Sequence, residues 1–236
     1  MTGFRSISLI TRRKSSPARA ASRPLLWLNT SMPFLWGAVG LRGRLEATDA
    51  LLFAYFLFPY NYFLHAPNDY FDFETDARNP RKGSAEGARA TEPELRRLVA
   101  LSCALVATFA IFFAAVGNFA ATIVLAVLLA VSWAYSAPPL RLKGRPGWDS
   151  LANAAYVLPF VFAALLLGVD PVPWRAIAAF ALWAIASHAL TSIQDVDADR
   201  ASGLETIATA LGRRRAALLL GQRVDELVKV FAHGHG

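Results

Sequence analysis

The sequence contains a single cysteine and few charged residues. Cys103 is alone among 236 residues, which excludes an intramolecular disulfide framework and any metal site built from clustered cysteines. Asp, Glu, Lys and Arg make up 17% of the chain, against about 25% in ordinary soluble domains. Hydrophobic residues make up 55%, and the mean hydropathy is +0.37. One soluble core cannot bury that much apolar surface, so we predict an integral membrane protein.

Long stretches of the chain lack any charged side chain. Each is a candidate span, because about 20 apolar residues cross the hydrocarbon core as a helix. Residues 98–140 are long enough for two spans, and Gly117-Asn118 near their middle indicates a tight turn. The other uncharged stretches are residues 24–41, 50–68, 150–169 and 176–194. The sequence therefore predicts an all-α, polytopic transmembrane helix bundle with about six spans.

Positive charge alternates between the connections. All but three of the 24 Lys and Arg residues lie in the N-terminal tail, in residues 69–97, in residues 141–149 or beyond residue 194. The three exceptions are Arg42, Arg44 and Arg175. By the positive-inside rule, the N-terminus and the three longer connections are cytoplasmic. We interpret the net charge of +7 as an orientation signal, so we expect a multi-pass protein of the cell membrane and no nucleic-acid partner.

Two acidic clusters stand where a predicted span meets the cytoplasm. On a helix, Asn68, Asp72 and Asp76 would share one face, and so would Asp195 and Asp199. Carboxylates gathered on one face repel each other, so a cation has to offset them. Oxygen ligands without Cys or clustered His favour Mg²⁺, which binds one or two carboxylates together with substrate phosphates. Two facing clusters predict a diphosphate held through bridging Mg²⁺.

Other interpretations fit parts of this pattern. Either cluster alone is consistent with a solvated cytoplasmic loop, and the neighbouring Lys and Arg residues with topogenic charge. An ion transporter is a further class, and it predicts ionisable residues in the middle of spans. The six predicted spans have no Asp, Glu, Lys or Arg at that depth. Two clusters at one face of the membrane favour an enzyme.

Three motifs in order resemble the UbiA-type intramembrane prenyltransferase superfamily. They are Asn-Asp-x-x-Asp-x-x-x-Asp at residues 68–76, Tyr-Ser-x-Pro-Pro-Leu-x-x-Lys at 135–143 and Asp-x-x-x-Asp at 195–199. The match in spacing and order extends over about residues 23–215. The resemblance implies a helical bundle around a membrane cavity and a Mg²⁺-dependent transfer of a prenyl group from an allylic diphosphate.

The resemblance also implies roles for individual residues. Asn68, Asp72 and Asp76 would bind one Mg²⁺ and the diphosphate, and Asp195 and Asp199 would bind a second Mg²⁺. The four aspartates of these two sets would be the catalytic residues. The expected substrate-binding residues are Asn68, Asp69, Arg81, Lys82, Tyr135 and Lys143. Two histidines in or near spans, His65 and His188, are candidates either for a base or for satisfied interior groups.

The acceptor is suggested by a narrower resemblance. Residues 23–30, 58–61 and 78–88 resemble the lycopene elongases of the superfamily, which make fifty-carbon carotenoids. This resemblance implies transfer of a dimethylallyl group to a long apolar isoprenoid acceptor such as lycopene. A quinone precursor or another lipid acceptor is the alternative.

Members of the superfamily usually have nine spans, whereas six are predicted here. We therefore expect residues 23–221 to form a prenyltransferase membrane domain that is incomplete at its C-terminal end. The flanking expectations are a basic cytoplasmic tail at 1–22 and a polar, disordered tail at 222–236. A different class of function, an inactive or split-enzyme subunit working with a companion subunit, is also left open.

Overall fold

The structure is a computed structural model that describes residues 21–76, 90–170, 172–201 and 203–218. Every regular element in those residues is helical, which confirms the predicted all-α class. The first half comprises α1 (Trp27–Arg42), α2 (Ala47–Leu57), α3 (Pro59–Phe71), α4 (Phe73–Asp76) and α5 (Glu92–Val116). The second half comprises α6 (Phe119–Ser136), α7 (Trp148–Leu151), α8 (Leu158–Leu166), α9 (Trp174–Ala201) and α10 (Ile207–Leu211). Three 3-10 turns occupy Pro24–Leu26, Leu142–Gly144 and Ala152–Val157.

Four helical stretches are long and apolar enough to cross a membrane, judged by length and composition. They are Glu92–Ala115, Phe119–Ser136, Trp148–Leu166 and Trp174–Asp197. These correspond to the last four predicted spans. The first two predicted spans fold as shorter helices, since α1 has 16 residues and the second span is divided into α2 and α3. The total of six spans stays a prediction.

The division between α2 and α3 lies at Phe58, whose φ of −120° and ψ of −65° are not helical. Pro59 follows directly, and a proline removes one backbone donor while its ring clashes with the carbonyl four residues earlier. At the first position of a new helix the same residue is well accommodated. Pro67 lies inside α3. The residues that lead into the first acidic motif therefore belong to a separate helix.

Local signals in the sequence set the ends of α5 and α6. Thr91 and Glu94 form a capping box at the start of α5, with the Thr91 N–H donating to Glu94 Oε2 at 2.8 Å. The predicted turn at Gly117-Asn118 separates the two helices, and Asn118 Oδ1 caps α6 by accepting from the Ala121 N–H at 2.8 Å. Because these caps satisfy otherwise unpaired amides, both helix starts were predictable from the chain itself.

Aromatic side chains from several helices form the central core. Tyr55 and Phe56 of α2 are fully buried, and the Phe56 ring lies 5.8 Å from that of Phe162 on α8. The Tyr55 ring lies 5.3 Å from that of Phe113 on α5, in an edge-to-face arrangement. The same core cluster includes side chains from α1, α3 and α6. These contacts hold α3 and α6 in a fixed frame beside the candidate site.

A glycine allows α1 and α8 to approach closely. A Cβ atom added at Gly37 would lie 2.8 Å from the Cβ of Ala163 and 3.1 Å from the carbonyl oxygen of Phe160. Small residues at such crossings let helix backbones approach each other in a membrane. A Cβ atom added at Gly40, one turn further along α1, would have no such neighbour within 4 Å.

We expect Gly37→Ala to lower the free energy of unfolding by about 1–3 kcal/mol, because the extra methyl overpacks the contact between α1 and α8. Gly40→Ala is the matched control. In a helix it should raise stability by roughly 0.5–1 kcal/mol, because alanine loses less conformational freedom than glycine. Thermal unfolding of both variants in the same detergent measures the difference. Equal shifts in the two variants would contradict the close packing.

Candidate active site

The first acidic motif lies where α3 ends. Asn68 and Asp69 belong to the last turn of α3, Asp72 caps it, and Asp76 ends α4. The Asp72 backbone has φ −103° and ψ 8°, outside the helical region. Its N–H still donates to the Asn68 carbonyl oxygen at 3.1 Å. Asp72 therefore interrupts the helix between Asn68 and Asp76.

Two cationic side chains bind Asp72. Arg141 Nη2 donates to Oδ1 at 2.9 Å, and Lys143 Nζ donates to Oδ2. Both belong to the connection between α6 and α7, and Lys143 is only 5% exposed. A buried ammonium group needs an anion nearby, so these bonds stabilise the connection against α3. Arg81 and Lys82, the other predicted diphosphate contacts, lie outside the described residues.

The neighbouring Asp69 forms a buried ion pair. Arg23 Nη2 donates to Asp69 Oδ1 at 2.9 Å and to Asn68 Oδ1 at 3.3 Å. The Asp69 side chain is 0% exposed and that of Arg23 is 16% exposed. Asn68 Nδ2 in turn donates to Ser136 Oγ, at the end of α6, at 3.4 Å. The Asp69 carboxylate is thus engaged with Arg23, and its predicted contact with substrate stays a prediction.

The second acidic motif lies in the last two turns of α9. Asp195 and Asp199 are half-buried, whereas the Asp197 side chain between them is 76% exposed and pairs with Arg213 at 2.8 Å. Thr206, the cap of α10, places its hydroxyl 3.4 Å from Asp199 Oδ2. Asp195 and Asp199 therefore lie on the half-buried face of α9, and Asp197 lies on its exposed face. This is the arrangement predicted from their spacing.

Asp149 links the two regions, and reasoning from the sequence missed it. The residue is fully buried, and its Oδ2 accepts from the Ile207 N–H, the first amide of α10, at 3.1 Å. Its Oδ1 has no hydrogen-bond partner among the described residues. Asp149 is the only acid in the otherwise basic stretch 141–149, which is the signal that would have singled it out.

A histidine connects the ends of α6, α7 and α9. His188 Nε2 lies 3.1 Å from the Tyr135 hydroxyl, and its Nδ1 lies 3.3 Å from Ser150 Oγ. Asp195 lies within electrostatic range of His188, and Asp72 within electrostatic range of Tyr135. Tyr135 and His188 therefore stand between the two acidic motifs.

A cavity of about 350 Å³ extends from this point between α1 and α9. This volume is in the range of small-ligand pockets, roughly 300–1,000 Å³. Its polar lining is Asn29, Asn153, Tyr156, Ser187, His188 and Thr191, and the remaining lining residues are apolar. Trp36 and Trp183 line the cavity and are 53% and 60% exposed. Among the described residues, the cavity is open between α1 and α9.

Within the described residues, no three His, Cys, Asp or Glu side chains converge in a group able to hold a metal ion by themselves. The candidate donors are oxygen atoms on two separate helices. This donor chemistry fits Mg²⁺, because that ion is usually bound through one or two carboxylates and takes its other ligands from water and substrate phosphates.

Comparison with known proteins gives the family. The model of the UbiA prenyltransferase family matches residues 30–223. The chain belongs to the UbiA prenyltransferase family. It is an enzyme of the prenyltransferase class, embedded in the membrane.

Two relatives of this UbiA chain are lycopene elongase/hydratases. It is 40% identical over 200 residues to a lycopene elongase/hydratase from Halobacterium salinarum, covering 83% of this chain and 71% of the relative. It is 36% identical over 202 residues to a lycopene elongase/hydratase from Corynebacterium glutamicum, covering 84% and 70%.

A solved structure shares the UbiA fold. The structure of a UbiA homologue from Archaeoglobus fulgidus bound to GPP and Mg²⁺ matches with a TM-score of 0.75 at 22% identity, covering 92% of this chain and 77% of that one. This likeness confirms the membrane fold expected from the three motifs.

Proposed function

We propose that this UbiA-family enzyme transfers a dimethylallyl-type group from its diphosphate to a long apolar acceptor, for which lycopene is the candidate. The observation that carries the proposal is the position of Asp72, whose carboxylate is bound by Arg141 and Lys143 next to the Tyr135–His188 contact. Anionic and cationic groups alternate there beside a largely apolar cavity. A substrate with an anionic diphosphate head and an apolar tail would complement these charged groups and the apolar cavity beside them.

Magnesium would be held by the two acidic motifs. Asn68, Asp72 and Asp76 are proposed to hold one Mg²⁺, and Asp195 and Asp199 a second, with the diphosphate bridging them. When bound, Mg²⁺ neutralises the charge that develops on a leaving diphosphate. The Archaeoglobus fulgidus structure, named as bound to GPP and Mg²⁺, supports this assignment.

The chain's own cations act on the same leaving group. Lys143 and Arg141 are held at Asp72 before any reaction, so they are already positioned where negative charge develops. Preorganised donors of this kind stabilise a transition state without further reorganisation. Arg81 and Lys82 are proposed to add contacts to the diphosphate. Asn68 and Tyr135 line its approach, and Asp69 orients Asn68 through their shared partner Arg23.

The cavity supports an apolar acceptor. It lies between α1 and α9, and most of its lining residues are apolar. The apolar lining also keeps water from the allylic cation. The two relatives named lycopene elongase/hydratase support lycopene as that acceptor.

The site is proposed to face the cytoplasm. Arg141, Lys143 and the basic residues beyond α9 lie on the same side as the acidic motifs, and positive charge marks cytoplasmic connections. Allylic diphosphates, which are water-soluble anions, would then reach the motifs from the aqueous side.

Expression of the full chain in a lycopene-accumulating bacterial host tests the proposal. Chromatography and mass spectrometry of the pigments should reveal products heavier by one and then two five-carbon units. In a parallel strain, Asp72→Ala should reduce these products by about 10²–10³-fold, the usual effect of removing one electrostatic group from an active site.

Two other results would redirect the assignment. Unchanged lycopene, with the protein present in the membrane, would rule out that this chain alone elongates lycopene. The same membranes would then be assayed with labelled dimethylallyl diphosphate and a quinone precursor or a lipid acceptor. Turnover only after addition of a second polypeptide would indicate a companion subunit.

A further inference from the structure

Prenylation of an alkene leaves a positive charge that the enzyme has to discharge. If the proposed function holds, attack of the acceptor double bond on the allylic cation produces a tertiary carbocation on the acceptor. An alkene product forms only when a neighbouring carbon loses a proton. The site therefore needs a base near the apolar cavity, apart from the carboxylates that are proposed to bind Mg²⁺.

His188 is the one side chain with suitable chemistry among the described residues that line the cavity. That lining contains no Asp, Glu, Lys, Arg or Cys, and Tyr156 is its only other titratable group. Imidazole is the side chain whose ordinary pKa lies nearest neutrality, so it can both accept and release a proton in each cycle. His188 therefore lies on the wall of the cavity in which the acceptor would bind.

The hydrogen bonds of His188 suit both protonation states. Nε2 lies 3.1 Å from the Tyr135 hydroxyl, and Nδ1 lies 3.3 Å from the Ser150 hydroxyl. A hydroxyl group can either donate or accept. In the neutral ring one nitrogen accepts and the other donates, whereas in the imidazolium both donate. Neither state leaves a ring nitrogen unbonded, and rotation of a hydroxyl is the only change required.

The distance along α9 is also appropriate. His188 precedes Asp195 by two helical turns, which separates the two residues by about 10 Å along the axis at 1.5 Å per residue. The diphosphate is proposed to bind at Asp195, so the ring lies further into the cavity, where the prenyl group and the end of the acceptor would meet. The base and the leaving group are thus kept apart.

We infer that His188, held by Tyr135 and Ser150, is the base that takes the proton from the prenylated acceptor. The C–O bond of the allylic diphosphate breaks, and the diphosphate leaves with the electron pair. The acceptor double bond supplies the electrons of the new C–C bond. A C–H bond next to the resulting cation then breaks, and its electron pair forms the new double bond. Its proton passes to the Tyr135 hydroxyl as that hydroxyl gives its own proton to Nε2 of His188.

The test compares the full wild-type chain with His188→Gln in host membranes supplied with lycopene and labelled dimethylallyl diphosphate. Glutamine keeps a hydrogen-bonding side chain but cannot accept the proton. Alkene products should fall by about 100-fold or more, the usual contribution of general base catalysis. Diphosphate release should fall less than tenfold, because water captures the cation and gives alcohols instead. In His188→Ala, added imidazole should restore part of the alkene product.

The outcomes separate this inference from the proposed function. A wild-type chain that prenylates no lycopene overturns both. If the wild-type chain is active, unchanged alkene products in His188→Gln overturn the role of His188 alone. Equal loss of alkene, alcohol and diphosphate release, without imidazole rescue, also overturns it, because this pattern indicates a purely structural histidine.

Discussion

Asp199→Asn should reduce prenyl transfer by about 10²–10³-fold, whereas Asp197→Asn should leave the rate within about twofold. The two residues lie on the same helix two positions apart, so both variants change one charge at almost the same place in the chain. Asp199 is half-buried and lies 3.4 Å from the Thr206 hydroxyl, and Asp197 points outward to Arg213. Only the inward carboxylate is in a position to act on a bound diphosphate.

The assay follows release of diphosphate from dimethylallyl diphosphate by membranes that contain equal amounts of each variant. Asp195→Asn should behave like Asp199→Asn. Raising the Mg²⁺ concentration should recover part of the activity of these two variants if the lost group is a metal ligand. Similar losses in the Asp197 and Asp199 variants would contradict the assignment, since they would show that the charge of this helix end matters but not its direction.

Arg23→Met should destabilise the protein by about 3–5 kcal/mol, because it removes the guanidinium that pairs with a fully buried carboxylate. The Asp69 side chain is fully buried, and Arg23 is its described cationic partner at 2.9 Å. Methionine preserves much of the apolar stem of arginine and removes the charge. Thermal unfolding in detergent, converted to free energy with the measured enthalpy, gives the magnitude.

Two further variants make this prediction specific. In the Arg23→Met background, Asp69→Asn should recover part of the loss, because a neutral amide is less costly to bury than a lone carboxylate. Arg44→Met removes an ion pair with Glu46 whose side chains are 75% and 45% exposed, and it should cost less than about 1 kcal/mol. Equal effects of the Arg23 and Arg44 variants would contradict the buried pair.

Features encoded by adjacent residues were predictable from the sequence. The cap at Thr91, the turn at Gly117-Asn118 and the inward spacing of Asp195 and Asp199 each depend on a few neighbouring residues. Helical periodicity and capping chemistry act at that range, so a single sequence is sufficient to find them.

Features created by packing were not predictable in the same way. The ion pairs of Asp72 join it to Arg141 and Lys143, about seventy residues away in the chain. Likewise, His188 could be singled out as an interior histidine, but its partners Tyr135 and Ser150 belong to other helices. Spacing rules assume an unbroken helix and contain no information about partners brought together by folding.

The hydrogen bond from the Ile207 N–H to Asp149 should make two segments of the site open together. It fastens the start of α10, just after the loop that follows Asp199, to the connection that carries Lys143. This one hydrogen bond therefore connects the part of the site near the first motif to the part near the second. A local fluctuation that releases α10 also leaves the buried Asp149 carboxylate without that donor, so partial opening is disfavoured. Amide hydrogens in the two segments should exchange at a common rate, as one foldon, even though about sixty residues separate them along the chain.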